Sequence, residues 1–390
     1  TVRAMLRSLP RIWFIALALL APPGATRAAA EPAMLHSLVR YVDGLEAFGF
    51  TGQIVIAEGD SLLLARAMGS ADGKRRPVGS STAFAAGSIT KSVTAALIMR
   101  LVSEKRFTLD TPLARLLPGV PDDKAALTPR QLLSHTAGLP EDAEGVFERD
   151  ARETVLRTTL AVPLVRPPGT RFGYSNAGFQ LLAAIAEQAT GIPYPRLADS
   201  LLLAPSRMRE SGVGSAFARS RPDAATGRNE WLVRGSFRDW RQPWAGSGAG
   251  DLVTTAHDLW SWARTIQGAG PLPPEQLDSL TARRADVNAG LFYGFGLWLI
   301  QRADSSDLVS IGGDISGYHA GIWLERRPPW RIVAITSAGE RWGRRLPVST
   351  AQRALWLILN RRNLELPPEP VHWPIERMEA LAGSWTLAPS

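Results

Sequence analysis

The chain of 390 residues has no cysteine, which excludes disulfide bonds, thiolate chemistry and a lipid-modified cysteine. Its five histidines show no paired ligand spacing of the H-E-x-x-H kind, and its Gly-rich stretch at 246–250 lacks the spacing of a phosphate loop. We therefore predict no metal site and no cofactor. The formal net charge is +8, but no run of Lys or Arg with interleaved aromatics accompanies it, so no nucleic-acid partner is expected.

Long hydrophobic runs are also missing. The apolar run from Ile12 to Ala21 is too short to span a bilayer comfortably, since a spanning helix needs about 20 apolar residues. Arginines precede this run and a small-residue stretch, Ala25–Ala30, follows it, which is the pattern of a signal peptide. We predict that residues 1–30 are a signal peptide and that the protein is exported, periplasmic or secreted. No stable membrane anchor is expected after cleavage, and a retained anchor is the alternative.

Strand-like segments lie near both ends of the chain, whereas the middle is helix and loop. Short apolar segments predict two early and three late strands, at Gln53–Ala57, Ser61–Met68, Leu308–Asp314, His319–Glu325 and Arg331–Ser337. Apolar periodicity predicts helices at Leu35–Phe48, 88–105, Ala256–Ile266 and Val348–Leu359.

The simplest assembly of these segments is an α/β fold of the α+β kind. One antiparallel sheet is built from both chain ends and is flanked by helices, and a mostly helical lobe is inserted at about residues 106–285. We predict one domain over residues 31–362. The stretch that follows is rich in proline, so residues 363–390 are predicted to be a linker and the truncated start of a further domain.

Ser88 and Lys91 stand three residues apart at the start of the nearly all-apolar helix, and one helical turn brings them onto the same face. A serine hydroxyl needs a base within hydrogen-bond reach before it can act as a nucleophile. Burial and the positive end of the helix dipole both lower the pKa of a first-turn amine, as a lysine base requires. The alternative is structural, with Ser88 as a helix cap and Lys91 extending its charged end to solvent.

Lysine is scarce in this chain, with 4 Lys against 40 Arg. An S-x-x-K spacing is weak evidence alone. Arginine, however, supplies nearly every cation here, and arginine does not lose its proton in proteins. A lysine on a buried helix therefore suggests a group that must be deprotonated, which favours the catalytic interpretation of Lys91.

A second motif, Tyr174-x-Asn176, stands just before a helix that begins near Phe179. A phenol and an amide on one loop offer a proton relay and a hydrogen-bonding arm for a substrate carbonyl. The alternative is a buried tyrosine followed by a turn asparagine.

A third motif, Ile311-Gly312-Gly313-Asp314, lies in a predicted strand. Consecutive glycines in a strand mark a place where another backbone or a ligand comes close. A backbone N–H at this point, opposite the N–H of Ser88, would stabilise a tetrahedral oxyanion. The alternative is a β-bulge and turn.

These three motifs, in this order, resemble those of the serine β-lactamase and penicillin-binding protein family. The class C-type branch, with its D-alanyl-D-alanine carboxypeptidases, D-aminopeptidases and related esterases, is the most similar. The resemblance covers roughly residues 35–360, and it extends to three further stretches, Leu127–Pro140, Gly248–Leu252 and Tyr293–Gly296.

The resemblance implies a metal-free serine hydrolase that acts through an acyl-enzyme on a small-molecule or peptide substrate. Ser88 would attack the carbonyl while Lys91 and Tyr174 share the proton movements, and water would release the acyl group. Substrate binding is assigned to the side chain of Asn176 and to the strand residues Gly312, Gly313 and Asp314. The backbone N–H groups of Ser88 and Asp314 would form the oxyanion hole.

Position 311 departs from the family pattern, which usually has Lys or His there to support the tyrosine and attract a substrate carboxylate. Ile311 can do neither. This favours neutral esters or amides over β-lactams and D-Ala-D-Ala peptides, and it motivates a second hypothesis, a non-catalytic sensor or binding protein with the same fold. His319 is a candidate to fill the gap, whereas His135 is interpreted as a structural hydrogen-bonding residue.

Overall fold

A computed structural model describes residues 32–47, 50–144, 146, 151–228, 233–238, 244–304, 306–315, 317–325, 330–337, 352 and 355. The predicted signal peptide at 1–30, most of the predicted Val348–Leu359 helix and the predicted linker at 363–390 lie outside these residues. In the described part of the chain, no helix is both long and apolar enough to cross a membrane.

The strands in chain order are β1 (Gly52–Glu58), β2 (Ser61–Met68), β3 (Phe84–Ala85), β4 (Gly212–Val213), β5 (Thr226–Arg228), β6 (Val233–Ser236), β7 (Leu252–Thr254), β8 (Ala285–Asn288), β9 (Leu291–Tyr293), β10 (Trp298–Gln301), β11 (Asp307–Ile315), β12 (Tyr318–Glu325) and β13 (Trp330–Thr336). The helices are α1 (Pro32–Ala47), α2 (Thr90–Ser103), α3 (Leu113–Leu116), α4 (Pro129–Leu133), α5 (Arg152–Ala161), α6 (Asn176–Thr190), α7 (Tyr194–Ala198), α8 (Ser215–Ser220), α9 (Ala256–Ile266) and α10 (Pro274–Leu280).

The main sheet has the order β2-β1-β13-β12-β11-β10-β9-β8, and every neighbouring pair in it is antiparallel. The first strands of the chain therefore pair with the last described strand, since β1 lies against β13. Small sheets β3-β7-β4 and β5-β6 lie outside it. The predicted α+β fold, with one antiparallel sheet built from both chain ends, is confirmed.

The sequence predicted five strands of this sheet, and the described residues add three more at its far edge, β8 to β10. Each of these spans only three or four residues, which is too short to show a clear period of two. Glycines at 290, 294 and 296 separate them and give the segment the composition of a loop.

Strands β1 and β13 are buried along nearly their whole length and are mostly apolar, because both faces of the sheet are covered there. On β1, Val55 faces the large core that contains α2 and α9, whereas Ile54 and Ile56 face a second cluster beneath α1. Helix α2 lies inside the large core, with eleven of its fourteen residues buried. This places the beginning of α2 against the sheet.

Candidate active site

Ser88 lies on the turn that leads into α2, just before the helix begins at Thr90. Gly87 has φ +51°, a left-handed conformation that favours glycine, and it turns the chain sharply at this point. The N-cap residue of α2 is Ile89, which makes no side-chain cap bond. Ser88 therefore does not cap the helix, and the structural alternative for this residue is wrong.

Lys91 is 1% exposed, and its Nζ donates to Oγ of Ser88 at 3.0 Å and to the carbonyl oxygen of Ala249 at 2.7 Å. The ammonium thus does not extend to solvent. Burial lowers the pKa of Lys91 to about 7, although Asp142, Glu141 and Asp251 partly oppose this shift. A substantial fraction of the amine is neutral at physiological pH, as a base for Ser88 requires.

Tyr174 completes a trio around the serine, because its hydroxyl donates to Oγ of Ser88 at 2.7 Å. Burial raises the pKa of this phenol well above its ordinary value, and the carboxylates of Glu141, Asp142 and Asp314 raise it further. The hydrogen bond with Ser88 acts in the opposite direction. Tyr174 is therefore a neutral phenol in the resting site.

The segment Gly248–Leu252 fixes the beginning of α2. Besides the bond from Lys91 to Ala249, the hydroxyl of Thr94 donates to the carbonyl of Gly248 at 2.7 Å. The carbonyl of Leu252 accepts a backbone N–H from Ala86 at 2.9 Å, just before the serine turn. This stretch, which resembles the family in sequence, holds both the lysine and the turn in place.

His135 holds the loop that carries Tyr174. Its carbonyl oxygen accepts the backbone N–H of Gly173 at 2.8 Å, and its Nδ1 accepts the backbone N–H of Ser175 at 3.1 Å. Because Nδ1 is an acceptor, the ring proton lies on Nε2, which is 3.2 Å from the hydroxyl of Tyr293. Burial lowers the pKa of His135 well below its ordinary value, so the ring is neutral. The predicted structural role of His135 agrees with these bonds.

Asn176 is the first residue of α6, and Ser175 caps this helix by accepting the backbone N–H of Gly178 at 3.1 Å. The backbone N–H of Asn176 donates to the carbonyl of Glu141 at 2.7 Å, and its side-chain Nδ2 donates to Oδ2 of Asp142 at 3.2 Å. Residue 176 therefore stands beside Tyr174 with its amide oriented by a carboxylate.

The sequence analysis missed Glu141 and Asp142. Both influence the pKa of Lys91, and burial raises the pKa of each carboxyl. They directly follow the family-like stretch Leu127–Pro140, so extending that comparison by two residues would have found them.

Within the glycine motif of β11, Gly313 makes the predicted close approach to another part of the backbone, the turn that carries Ser88. A Cβ at Gly313 would overlap the carbonyl oxygen of Ala86 and would lie 2.7 Å from the backbone nitrogen of Ser88. A Cβ at Gly87 would likewise lie 3.0 Å from the backbone nitrogen of Asp314. Strand β11 thus packs backbone to backbone against the serine turn. Gly312 makes no such approach, since a Cβ there would meet only one atom, at 4.0 Å.

Ile311 is 1% exposed and belongs to the large core, so the described site has no cation at this position. His319 does not lie opposite Ile311, whose partner on β12 is Ile322. Instead, His319 pairs with Asp314, and its Nδ1 lies 2.5 Å from the exposed carboxylate of that residue. The imidazole therefore stands beside Asp314 of β11 rather than in the place of the missing cation.

The structure thus brings together Ser88, Lys91, Tyr174 and Asn176 from two separate parts of the chain, and a third part, β11, packs against the serine turn. In the part of the chain that the structure describes, no group of three or more His, Asp or Glu side chains could hold a metal ion. The arrangement can activate a serine hydroxyl with an amine and a phenol, and the backbone of Asp314 lies against the turn that carries this serine.

Comparison with known proteins identifies the family of the chain. The sequence profile of the Beta-lactamase family matches residues 48–351, and the chain belongs to this family. Esterase EstB of Burkholderia gladioli is 33% identical over 183 residues, which are 42% of this chain and 46% of that protein. Penicillin-binding protein 4* of Bacillus subtilis (strain 168) is 30% identical over 173 residues, which are 42% of this chain and 38% of that protein.

The matched segments span less than half of the length of these two curated relatives. Among solved structures, the D-amino acid amidase of Ochrobactrum anthropi SV3, in complex with D-phenylalanine, has a TM-score of 0.70 at 23% identity. The match covers 84% of this chain and 99% of that one, and it shows a shared fold.

Proposed function

We propose that the protein is a serine hydrolase that cleaves esters or amides through an acyl-enzyme on Ser88. The observation that carries this proposal is the pair of hydrogen bonds at the Ser88 hydroxyl, 3.0 Å from Lys91 Nζ and 2.7 Å from Tyr174 Oη. A nucleophile within reach of a base with a pKa of about 7 is the arrangement that covalent catalysis needs. The family, which includes an esterase, supports hydrolysis in general.

In this mechanism, neutral Lys91 accepts the hydroxyl proton of Ser88 as Oγ bonds to the substrate carbonyl carbon. Lys91 is the base in the resting site because the raised pKa of Tyr174 keeps the phenol protonated. The backbone N–H groups of Ser88 and Asp314 stabilise the oxyanion. Tyr174 donates its proton to the leaving group and recovers one from Lys91, and a water molecule then hydrolyses the acyl-serine by the reverse route.

The absence of a cation at position 311, where the buried Ile311 stands, supports esters or amides over substrates that are anchored by a carboxylate, such as β-lactams. The same feature supports the second candidate, a sensor or binding protein of the same fold that forms an acyl-serine once and does not release it.

Hydrolysis of p-nitrophenyl butyrate by the purified protein, measured beside Ser88→Ala, tests the proposal. Steady turnover by the parent and none by the variant is the expected result. A single burst of p-nitrophenol stoichiometric with protein, without turnover, would favour the sensor. Equal rates in parent and variant would show that Ser88 is not the nucleophile.

A further inference from the structure

A cavity of about 800 Å³ lies between the main sheet and the helices α9 and α10. Val309 of β11 lines this cavity, whereas Gly313 of the same strand packs on the serine turn. The two residues are four positions apart, so at a rise of about 3.3 Å per residue they are separated by about 13 Å. The cavity is therefore a second concave site, of the size that small-molecule ligands occupy.

The lining of the cavity is apolar on one side and polar on the other. Buried side chains form the apolar wall, and exposed residues surround the mouth. The apolar wall consists of Ile266, Leu277, Leu299 and Val309, and the mouth consists of Gly268, Pro274, Asp278 and Ser306. Arg331 of β13 also lines the cavity and is only 4% exposed. A ligand that matches this lining has an apolar body and a polar group that reaches the arginine.

The guanidinium of Arg331 has hydrogen-bond donors that the protein does not use. Its Nε donates to Oε1 of Gln267, which lies on the same lining. Its Nη1 is buried and has no hydrogen-bond acceptor among the described residues, and Oδ1 of Asp60 is 3.7 Å away. A buried donor without an acceptor is unfavourable, and an acceptor that a ligand supplies would remove that cost. A negatively charged acceptor would form the strongest bond.

The charge of Arg331 is incompletely balanced. Its partner Asp60 is exposed and also accepts from Nε of Arg264 at 2.8 Å, so two arginines share one carboxylate. Burial lowers the pKa of Arg331 to about 10, so the guanidinium remains charged at neutral pH. Asp278 lies at the exposed mouth, where water and salt screen its charge.

The other charged side chains of the lining have partners of their own. Arg302 lies 3.3 Å from Oε1 of Glu325 and 3.8 Å from Oδ2 of Asp304. The carboxylate of Asp307 accepts two bonds from Arg283, at 2.6 and 3.0 Å. One surplus positive charge is therefore left at the buried side of the cavity, on Arg331.

We propose that this cavity binds a monocarboxylate with an apolar tail, with the carboxylate on Arg331 and the tail along the apolar wall. A single surplus charge favours a singly charged head group over a phosphate dianion. The tail contributes because its burial removes apolar surface from water. The lining includes neither Ser88 nor Lys91 nor Tyr174, so the inference does not depend on the proposed hydrolase function.

Calorimetric titration of the purified protein with octanoate, octan-1-ol and octylammonium tests the inference. These probes share one tail and differ in the charge of the head group. We expect octanoate to bind at one site per chain and at least about tenfold more tightly than octan-1-ol, as a charged hydrogen bond allows, and octylammonium to bind most weakly. No binding of octanoate, or equal affinity for octanoate and octan-1-ol, would overturn the inference.

The variant Arg331→Gln assigns the carboxylate to its partner, because it keeps a polar side chain and removes the charge. We expect the affinity for octanoate to fall by at least about tenfold. The matched control is Arg284→Gln, since Arg284 lies 4.6 Å over the ring of Phe295 and is outside the lining, and it should keep the parental affinity. Parental affinity in Arg331→Gln would place the carboxylate elsewhere, the serine site included, and would overturn the inference.

A block of the mouth tests the same site with Arg331 and the core intact. The chain has no cysteine, so Ser306→Cys supplies a single thiol at the exposed mouth. Coupling of fluorescein maleimide to this thiol should abolish octanoate binding. The same label on Ser200→Cys, at an exposed serine outside the lining, should leave the binding unchanged. Octanoate binding that persists with the label at position 306 would show that the ligand occupies another site.

Discussion

The backbone N–H of Ser175 donates to Nδ1 of His135 at 3.1 Å, directly beside the tyrosine that bonds to Ser88. His135 itself has φ +58°, so its backbone is in the left-handed region and its carbonyl can turn to accept Gly173. One residue thus fixes the backbone on both sides of Tyr174. The position of the phenol depends on a side chain that need not touch the substrate.

Replacing His135 by alanine should therefore loosen Tyr174 and lower kcat more than it raises KM. The variant leaves the N–H of Ser175 without its partner and opens a cavity among aromatic rings, which should lower the free energy of unfolding by about 2–4 kcal/mol. Urea unfolding and steady-state kinetics measure the two effects. Parental kcat in a well-folded His135→Ala would show that the loop holds Tyr174 without the imidazole.

The same histidine predicts a dependence of stability on pH. The folded pKa of His135 lies well below its ordinary value, so below about pH 6.5 the unfolded chain binds a proton that the native ring does not. The free energy of unfolding should fall as the pH falls from about 6.5 toward 5. In His135→Ala, which lacks this ring, the decrease over the same pH range should be smaller. A pH series of urea unfolding curves for both proteins checks this. Identical slopes would exclude a buried neutral His135.

The pKa of Lys91 predicts the pH dependence of activity. If neutral Lys91 is the base, kcat/KM should rise with pH as one group of pKa about 7 loses its proton, and it should level off above that value. The rate of p-nitrophenyl butyrate hydrolysis between about pH 5.5 and pH 9, corrected for spontaneous hydrolysis, measures the curve. Lys91→Arg should abolish activity at every pH because arginine stays protonated. A flat profile would exclude Lys91 as the titrating base.

Much of this site could be predicted from the sequence because its parts are local patterns. The S-x-x-K spacing on an apolar helix placed Ser88 near Lys91, and consecutive glycines indicated the backbone approach that Gly313 makes. What the sequence could not provide was the juxtaposition of distant segments. The bond between Asn176 and Asp142 joins residues 34 apart, and the pairing of His319 with Asp314 depends on the register of β11 and β12.

The two neighbouring glycines of β11 should respond differently to alanine. In Gly313→Ala, the new methyl group would overlap the carbonyl of Ala86, so strand and serine turn must separate. We expect a loss of about 2–4 kcal/mol in stability and at least about a hundredfold loss of kcat/KM, because the two N–H groups of the proposed oxyanion hole, on Ser88 and Asp314, move apart. In Gly312→Ala, the new methyl group would point into open space, so its free energy of unfolding should lie within about 1 kcal/mol of that of the parent. Equal stability of the two variants would contradict the packing of Gly313 on the turn.

Introducing a cation at position 311 should favour substrates that carry a carboxylate. Ile311 and Gly313 are two residues apart on β11, so the Ile311 side chain lies on the same face of the strand as a Cβ at position 313 would, and that Cβ would meet the serine turn. In Ile311→Lys, a buried ammonium replaces apolar packing, so we expect a loss of about 2–4 kcal/mol in stability, measured by urea unfolding. The added positive charge should raise kcat/KM for the p-nitrophenyl ester of succinic acid relative to that of butyric acid, by about tenfold if the carboxylate binds the ammonium directly. Ile311→Met, which lengthens the side chain without charge, is the control and should leave that ratio unchanged. A folded Ile311→Lys with the parental ratio would mean that position 311 does not face the acyl group. The apolar side chain of Ile311 would then have no part in substrate choice.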